Sequence, residues 1–176
     1  MPLQFLMRHL FLIPLQKREQ MKIIKKTAVG FLLILFGLQF IRPQKNESVS
    51  TAVNDIKTKF AVTPQIQNIL KTSCYDCHSN NTIYPWYTNI QPVGLWMQNH
   101  VNEGKDELNF AEFATYSDKR ADHKMDEVIE VLQKNEMPLS SYTLIHGGAK
   151  LSDEQKLVLI NWAKGIVAQI NYEVEK

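Results

Sequence analysis

The sequence predicts an all-α chain: a small helical domain with long loops, preceded by one N-terminal transmembrane helix. Three observations carry that reading. Helix start signals recur at Thr63-Pro64, Ser117 and Ser152. No segment shows convincing period-two alternation, and there is no internal repeat. Near the N-terminus, "TAVGFLLILFGLQFI" (27–41) carries no charge.

The apolar stretch comes first. From Ile23 to Ile41 it covers 19 residues, roughly 28 Å as a helix at ~1.5 Å per residue, close to a bilayer core of ~30 Å. No small-residue cleavage site follows it, so the segment 22–42 reads as an uncleaved anchor in preference to a removed signal peptide. Lys17, Arg18, Lys22, Lys25 and Lys26 cluster at and before its N-terminal end, which keeps that side cytoplasmic and exports everything after Arg42. The expected location is therefore a bacterial inner membrane, with the folded domain on the periplasmic side. Residues 1–21 read as an over-extended start, because Met21 followed by Lys-Ile-Ile-Lys-Lys resembles the beginning of an exported protein. The piece ahead of Met21 is apolar, too short to span, and broken by Pro14.

Charge separates along the chain. Residues 1–41 hold six Lys/Arg against one acid, and residues 42–176 hold fourteen against seventeen. The folded part is mildly acidic, which argues against a nucleic-acid surface.

Residues 43–61 are polar and read as a tether. The helical domain is expected over 62–170, with a tail at 171–176. Thr63 caps a helix opened by Pro64, with Ile66, Ile69 and Leu70 on one face. Residues 80–89 read as loop. Pro92 opens a second helix that stops at Gly104. Ser117 caps a third, with Met125, Val128, Ile129 and Leu132 at helical spacing. Ser152 and Gln155 form a capping box for the last, with Leu159, Trp162, Ala163 and Ile166 inward.

Both cysteines of the chain lie in "CYDCHSN" (74–80). A disulfide between thiols three apart closes too small a loop to restrain the unfolded chain much. Zinc needs four ligands, and the remaining histidines offer no second pair at suitable spacing. A thioredoxin-like couple needs a strand before the first cysteine, where this chain reads as helix. Cys74-x-x-Cys77-His78 is instead the pattern of c-type haem attachment. Two intervening residues space the sulfurs for the two vinyl groups, and His78 then sits beneath the iron as an axial ligand. The cofactor expected is one covalent haem c.

The stretch "CYDCHSNNTIYPWYTNIQPVGLWMQNHVNEGKDELNF" resembles a family of short bacterial haem-binding-domain proteins related to cytochrome c. The resemblance runs on through "EMPLSSYTLIHGGAKLS" to Trp162, over roughly 66–168. It implies a cytochrome c-like helical fold and haem binding, and names no partner. Residues expected from it are Cys74, Cys77, His78, Tyr84-Pro85-Trp86-Tyr87, His100-Val101, Leu108-Asn109-Phe110, Met137-Pro138, Tyr142 and His146. Lys105 and Phe113 depart from its usual residues.

The second axial ligand expected is Met137. It follows the third helix, and Pro138 blocks helix continuation and biases it to an extended conformation. Met97 and Met125 sit inside helices, where filling the core is the default. His100 is the main rival, with His146 behind it. Trp86 is expected near the haem. Tyr84 and Tyr87 pack on the haem edge or serve as plain core aromatics, and Asn109 bonds a propionate or caps a turn. His123 is expected in solvent.

The function expected is a membrane-anchored c-type cytochrome carrying single electrons in the periplasm, with a redox partner that the sequence does not identify. No nucleophile–base pair or paired carboxylates point to an enzyme. The alternative is a haem-based sensor or small-molecule binder with an openable axial site. A weaker possibility is a subunit that feeds electrons to a peroxidase or oxidase.

Overall fold

The computed structural model describes residues 3–48 and 52–174. Its helices are α1 (Leu3–Leu38), α2 (Pro64–Ser73), α3 (Tyr75–His78), α4 (Val93–Glu107), α5 (Asp118–Gln133), α6 (Ser140–Ile145) and α7 (Asp153–Val174), joined by loops and short 3-10 turns. The described residues contain no strand. They hold a single isolated antiparallel bridge, between Glu47 and Asn81.

The chain divides into two compact units. The first contains α1 through Pro43 together with Trp86–Leu95. Here Gln39 and Gln91 exchange hydrogen bonds: Gln39 Nε2 donates to the Gln91 carbonyl (2.9 Å), and the Gln91 N–H donates to Gln39 Oε1 (3.0 Å). Arg42 Nη1 donates to the Asn89 carbonyl at 2.8 Å. Gln91 Oε1 also accepts from the Leu95 N–H (2.9 Å), satisfying a donor in the first turn of α4.

The transmembrane reading is overturned. No helix among the described residues is long and apolar enough to cross a membrane. The reason is where α1 ends. It stops at Leu38, so Gln39, Phe40 and Ile41 lie beyond it. The uncharged helical run is then Thr27–Leu38, 12 residues, or ~18 Å against a ~30 Å core. Extending it toward the N-terminus brings in Lys26, Lys25 and Lys22. Pro14 does not break the apolar piece ahead of Met21, since α1 runs through it.

The second unit contains Gln44–Pro85 and the chain from Trp96 onward. Its helix ends follow the local signals. The Thr63 side chain accepts from the Ile66 N–H (3.3 Å), and that of Ser117 from the Arg120 N–H (3.4 Å). Ser152 and Gln155 bond reciprocally, at 2.8 and 3.1 Å. α5 and α7 make the most extensive helix–helix contact. Met125, Leu132, Leu159, Trp162, Ala163 and Ile166 are buried in the core, with Val128 and Ile129 packed against it. Residues 43–61, read as a tether, contribute Ile56 and Phe60 to that core. α7 reaches Val174, so the expected tail begins inside it, and residues 175–176 lie outside the described residues.

One helix differs in extent. α4 does not stop at Gly104 but runs to Glu107. A Cβ at Gly104 would lie 2.9 Å from the Cys77 carbonyl oxygen and 3.0 Å from Cys77 Cβ. The glycine therefore lets α4 approach α3, and is not a C-cap.

Candidate functional site

Cys74 ends α2, its N–H bonded to the Leu70 carbonyl (2.9 Å). It also opens the single turn α3, whose Cys77 and His78 N–H groups donate back to the Cys74 carbonyl at 3.2 and 2.9 Å. Within one turn, residues three and four apart share a face. Both thiols are free and His78 lies beside them. Burial pushes the Cys74 thiol up to about 12, with the charge of Cys77 adding to the effect. Burial likewise takes Cys77 to about 11, reinforced by Asp76. That environment opposes the thiolate form that zinc binding and disulfide exchange require. Among the described residues, no three His, Cys, Asp or Glu side chains come together as a metal-binding group.

His78 is oriented by α4 and the turn after it. Its Nδ1 lies 3.0 Å from the Leu108 carbonyl oxygen. A carbonyl only accepts, so Nδ1 carries the proton and Nε2 keeps its lone pair. Burial lowers the pKa of the imidazole, against the opposing pull of the Leu108 and Gly104 carbonyls and of Glu107. The result is a neutral ring with the tautomer a metal ligand needs. Phe110 meets the ring edge-on at 6.4 Å between centroids.

Two cavities open at this point, of about 410 Å³ and about 280 Å³. They share Ser73, Cys74, His78, Glu107, Met137 and Pro138 as lining. The larger has an apolar floor of Leu70, Phe110, Leu132, Leu159 and Trp162. Trp162 is held there by its Nε1–H, which donates to the Ala61 carbonyl at 3.0 Å. The smaller is bordered by Cys77, His100, Gly104 and Tyr142. Among the described residues, Lys124 is the only Lys or Arg lining either cavity, and it is bonded to Glu127 (2.7 Å) and Glu107 (3.1 Å).

A family model described as a haem-binding domain matches residues 33–165. The chain belongs to that family. No curated protein and no solved structure matches it. Haem is therefore the cofactor of this domain, and the residues present fit it. The larger cavity is walled by apolar side chains suited to a flat macrocycle. The unpaired Cys74 thiol and the His78 imidazole line it, and the unpaired Cys77 thiol lines the smaller cavity that shares that border.

Of the residues expected at the haem, Cys74, His78 and Met137 line both cavities, and Cys77 lines the smaller. Met137 is brought there by a reversal after α5, where Asn135 takes a left-handed φ of 59°, a conformation asparagine tolerates. His100 lines the smaller cavity alone, its Nδ1 2.9 Å from the Trp96 carbonyl. His146 lines neither. It stacks on Tyr142 at 4.3 Å, with Nδ1 3.2 Å from the Tyr142 carbonyl. His123 is exposed beside Glu127. Trp86 belongs to the unit of α1, is 75% exposed and lines neither cavity. Tyr87 meets Trp86 edge-on at 6.0 Å. The Tyr84 hydroxyl accepts from the Asn46 N–H (2.7 Å) and donates to Gln98 Oε1 (2.8 Å), so it serves a polar network. Asn109 caps a turn, accepting from the Ala111 N–H at 3.0 Å.

Sequence reasoning passed over Asp76, which fills one of the unspecified positions of the attachment motif. Its Oδ2 accepts from the Tyr142 hydroxyl at 2.7 Å and its Oδ1 from the Ile83 N–H at 3.1 Å. It also passed over Asn46, a buried hub that donates to the Ser79 carbonyl and Thr82 Oγ1 and accepts from Lys105 Nζ. Position 76 is unspecified in the motif and Asn46 lies outside it, so neither residue carried a signal.

Proposed function

We propose that the chain is a c-type cytochrome that binds one haem covalently through Cys74 and Cys77 and carries single electrons. The observation that carries this reading is the placement of both thiols and the His78 imidazole within one helical turn that borders two cavities sharing Cys74 and His78, the larger with an apolar floor and the smaller lined by Cys77 as well. When bound, haem supplies an iron that alternates between ferrous and ferric states. The chain's own residues do the rest. His78, locked by Leu108, would hold the iron through Nε2. Met137, lining both cavities with His78, would hold the iron through its thioether, a pairing that would raise the potential. The apolar floor excludes water from the macrocycle. The carboxylates of Glu107, Glu127 and Glu136 at the cavity border favour the more positive, ferric charge state. Haem attachment of this type places the domain outside the cytoplasm.

The test is retention of haem through acid–acetone extraction and denaturing electrophoresis. The native chain keeps its haem. The Cys74→Ala, Cys77→Ala double variant releases it. Covalent haem surviving in that variant would refute the reading.

A further inference from the structure

Asp76 and Tyr142 are 66 residues apart in sequence and joined by a 2.7 Å hydrogen bond. Asp76 lies between the two cysteines, on the turn that carries His78. Tyr142 lies in α6, which begins three residues after Met137. Asp76, His78, Met137 and Tyr142 all line the smaller cavity. The carboxylate is itself anchored, since its second oxygen accepts from the Ile83 N–H. Tyr142 also carries His146, stacked on its ring at 24° between planes.

We propose that the Asp76–Tyr142 hydrogen bond is a positioning device that clasps α6 to the haem-attachment turn and holds Met137 in place opposite His78. This rests on the covalent-haem reading with Met137 as second ligand, and it assigns a further role to two residues that touch neither iron nor sulfur. The physical basis is leverage. Met137 sits on a loop between α5 and α6, and α6 has six residues with no side-chain cap at its N-terminus. A helix that short does not hold itself. Its tie to α3 is a bond to a charged acceptor, worth ~1.5–3 kcal/mol, which corresponds to roughly 10- to 150-fold in the population of the clasped arrangement. Loosening it frees Met137 to leave the iron and admits a competing ligand.

The experiment is carbon monoxide titration of the reduced holoprotein, read by Soret absorbance, together with the near-infrared sulfur-to-iron band of the oxidised form. Tyr142→Phe removes only the hydroxyl. It is expected to raise carbon monoxide affinity about tenfold or more and to weaken the near-infrared band, with haem still covalent. Asp76→Asn keeps one carbonyl oxygen as an acceptor and should give a smaller change in the same direction. It serves as the second variant if Tyr142→Phe does not fold. Ser152→Ala removes a cap on α7 and lowers stability without touching α6, so its carbon monoxide affinity should equal the native value. If the Tyr142→Phe and Asp76→Asn proteins bind carbon monoxide as the native protein does, the clasp is refuted. A native protein without the band, binding carbon monoxide unhindered, would refute Met137 ligation itself.

Discussion

Replacing Gly104 with alanine tests the contact that sets the Cys74–His78 turn against α4. The added methyl would meet the Cys77 carbonyl oxygen at 2.9 Å, Cys77 Cβ at 3.0 Å and the Cys77 carbonyl carbon at 3.3 Å. These are backbone and Cβ atoms, so no rotamer change relieves them. Either α3 or α4 must shift. Overpacking of this kind costs about 1–3 kcal/mol, and a contact with unyielding atoms belongs in the upper half. Against it stands the gain from removing glycine from a helix interior, about 1 kcal/mol. The net expectation is a loss of about 1–2 kcal/mol, or roughly 2–8 °C in Tm for a chain this long. Because the Gly104 carbonyl also faces the His78 imidazole, the Soret spectrum should shift as well. Gly165 is the internal control. It lies exposed in α7, and a Cβ there would meet nothing within 4 Å. Gly165→Ala should therefore stabilise by about 0.5–1 kcal/mol. Denaturant titration of both holoproteins by circular dichroism makes the comparison. If Gly104→Ala proves as stable as the native chain, the close approach is not a constraint and the reasoning fails.

Met137→Ala should abolish the near-infrared sulfur-to-iron band and lower the potential, measured by redox titration, while haem remains covalent; an unchanged band would assign the second ligand elsewhere. Trp162→Phe leaves the Ala61 carbonyl without its indole donor and shrinks the cavity floor. It should destabilise the domain by about 1–3 kcal/mol in denaturant titration, and a neutral result would mean that the bond does not hold the floor.

Local signals were legible in the sequence, and remote contacts were not. The Thr63, Ser117 and Ser152–Gln155 caps involve partners three residues away, so the pattern that predicts them is contained in a few letters. The same holds for Cys74, Cys77 and His78, which share one turn. Gly104 shows the limit. A glycine near a helix end reads as a stop, yet its meaning here comes from Cys77, distant in sequence and close in space. Gln39 and Gln91 are 52 apart and their reciprocal bonds leave no trace in composition. The membrane reading failed similarly: counting apolar residues does not reveal that the helix ends at Leu38 while the apolar run continues. Tryptophans follow the same division. Trp162 was placed inward by its helical period and lies in the cavity floor, whereas Trp86 was placed near the haem by adjacency in sequence alone, and it is exposed in the other unit.

The distribution of polar partners around α3 explains why so short a motif suffices. A protein-built metal site must supply several converging donors, and the described residues supply none such. Haem brings four nitrogens with its iron, and on the proposed reading the chain would add two thiols, one imidazole and one thioether. What the rest of the domain then contributes is immobility. Leu108 fixes the His78 tautomer, Gly104 admits α4 against Cys77, and Asp76 ties both the Ile83 backbone and α6 to the turn. Each acts on α3 from a different part of the chain, so the turn is restrained from several sides although it contains only four residues. If the proposed reading holds, the letters that define the motif choose the chemistry, and Asp76, at an unspecified position, ties α6 to the turn through Tyr142.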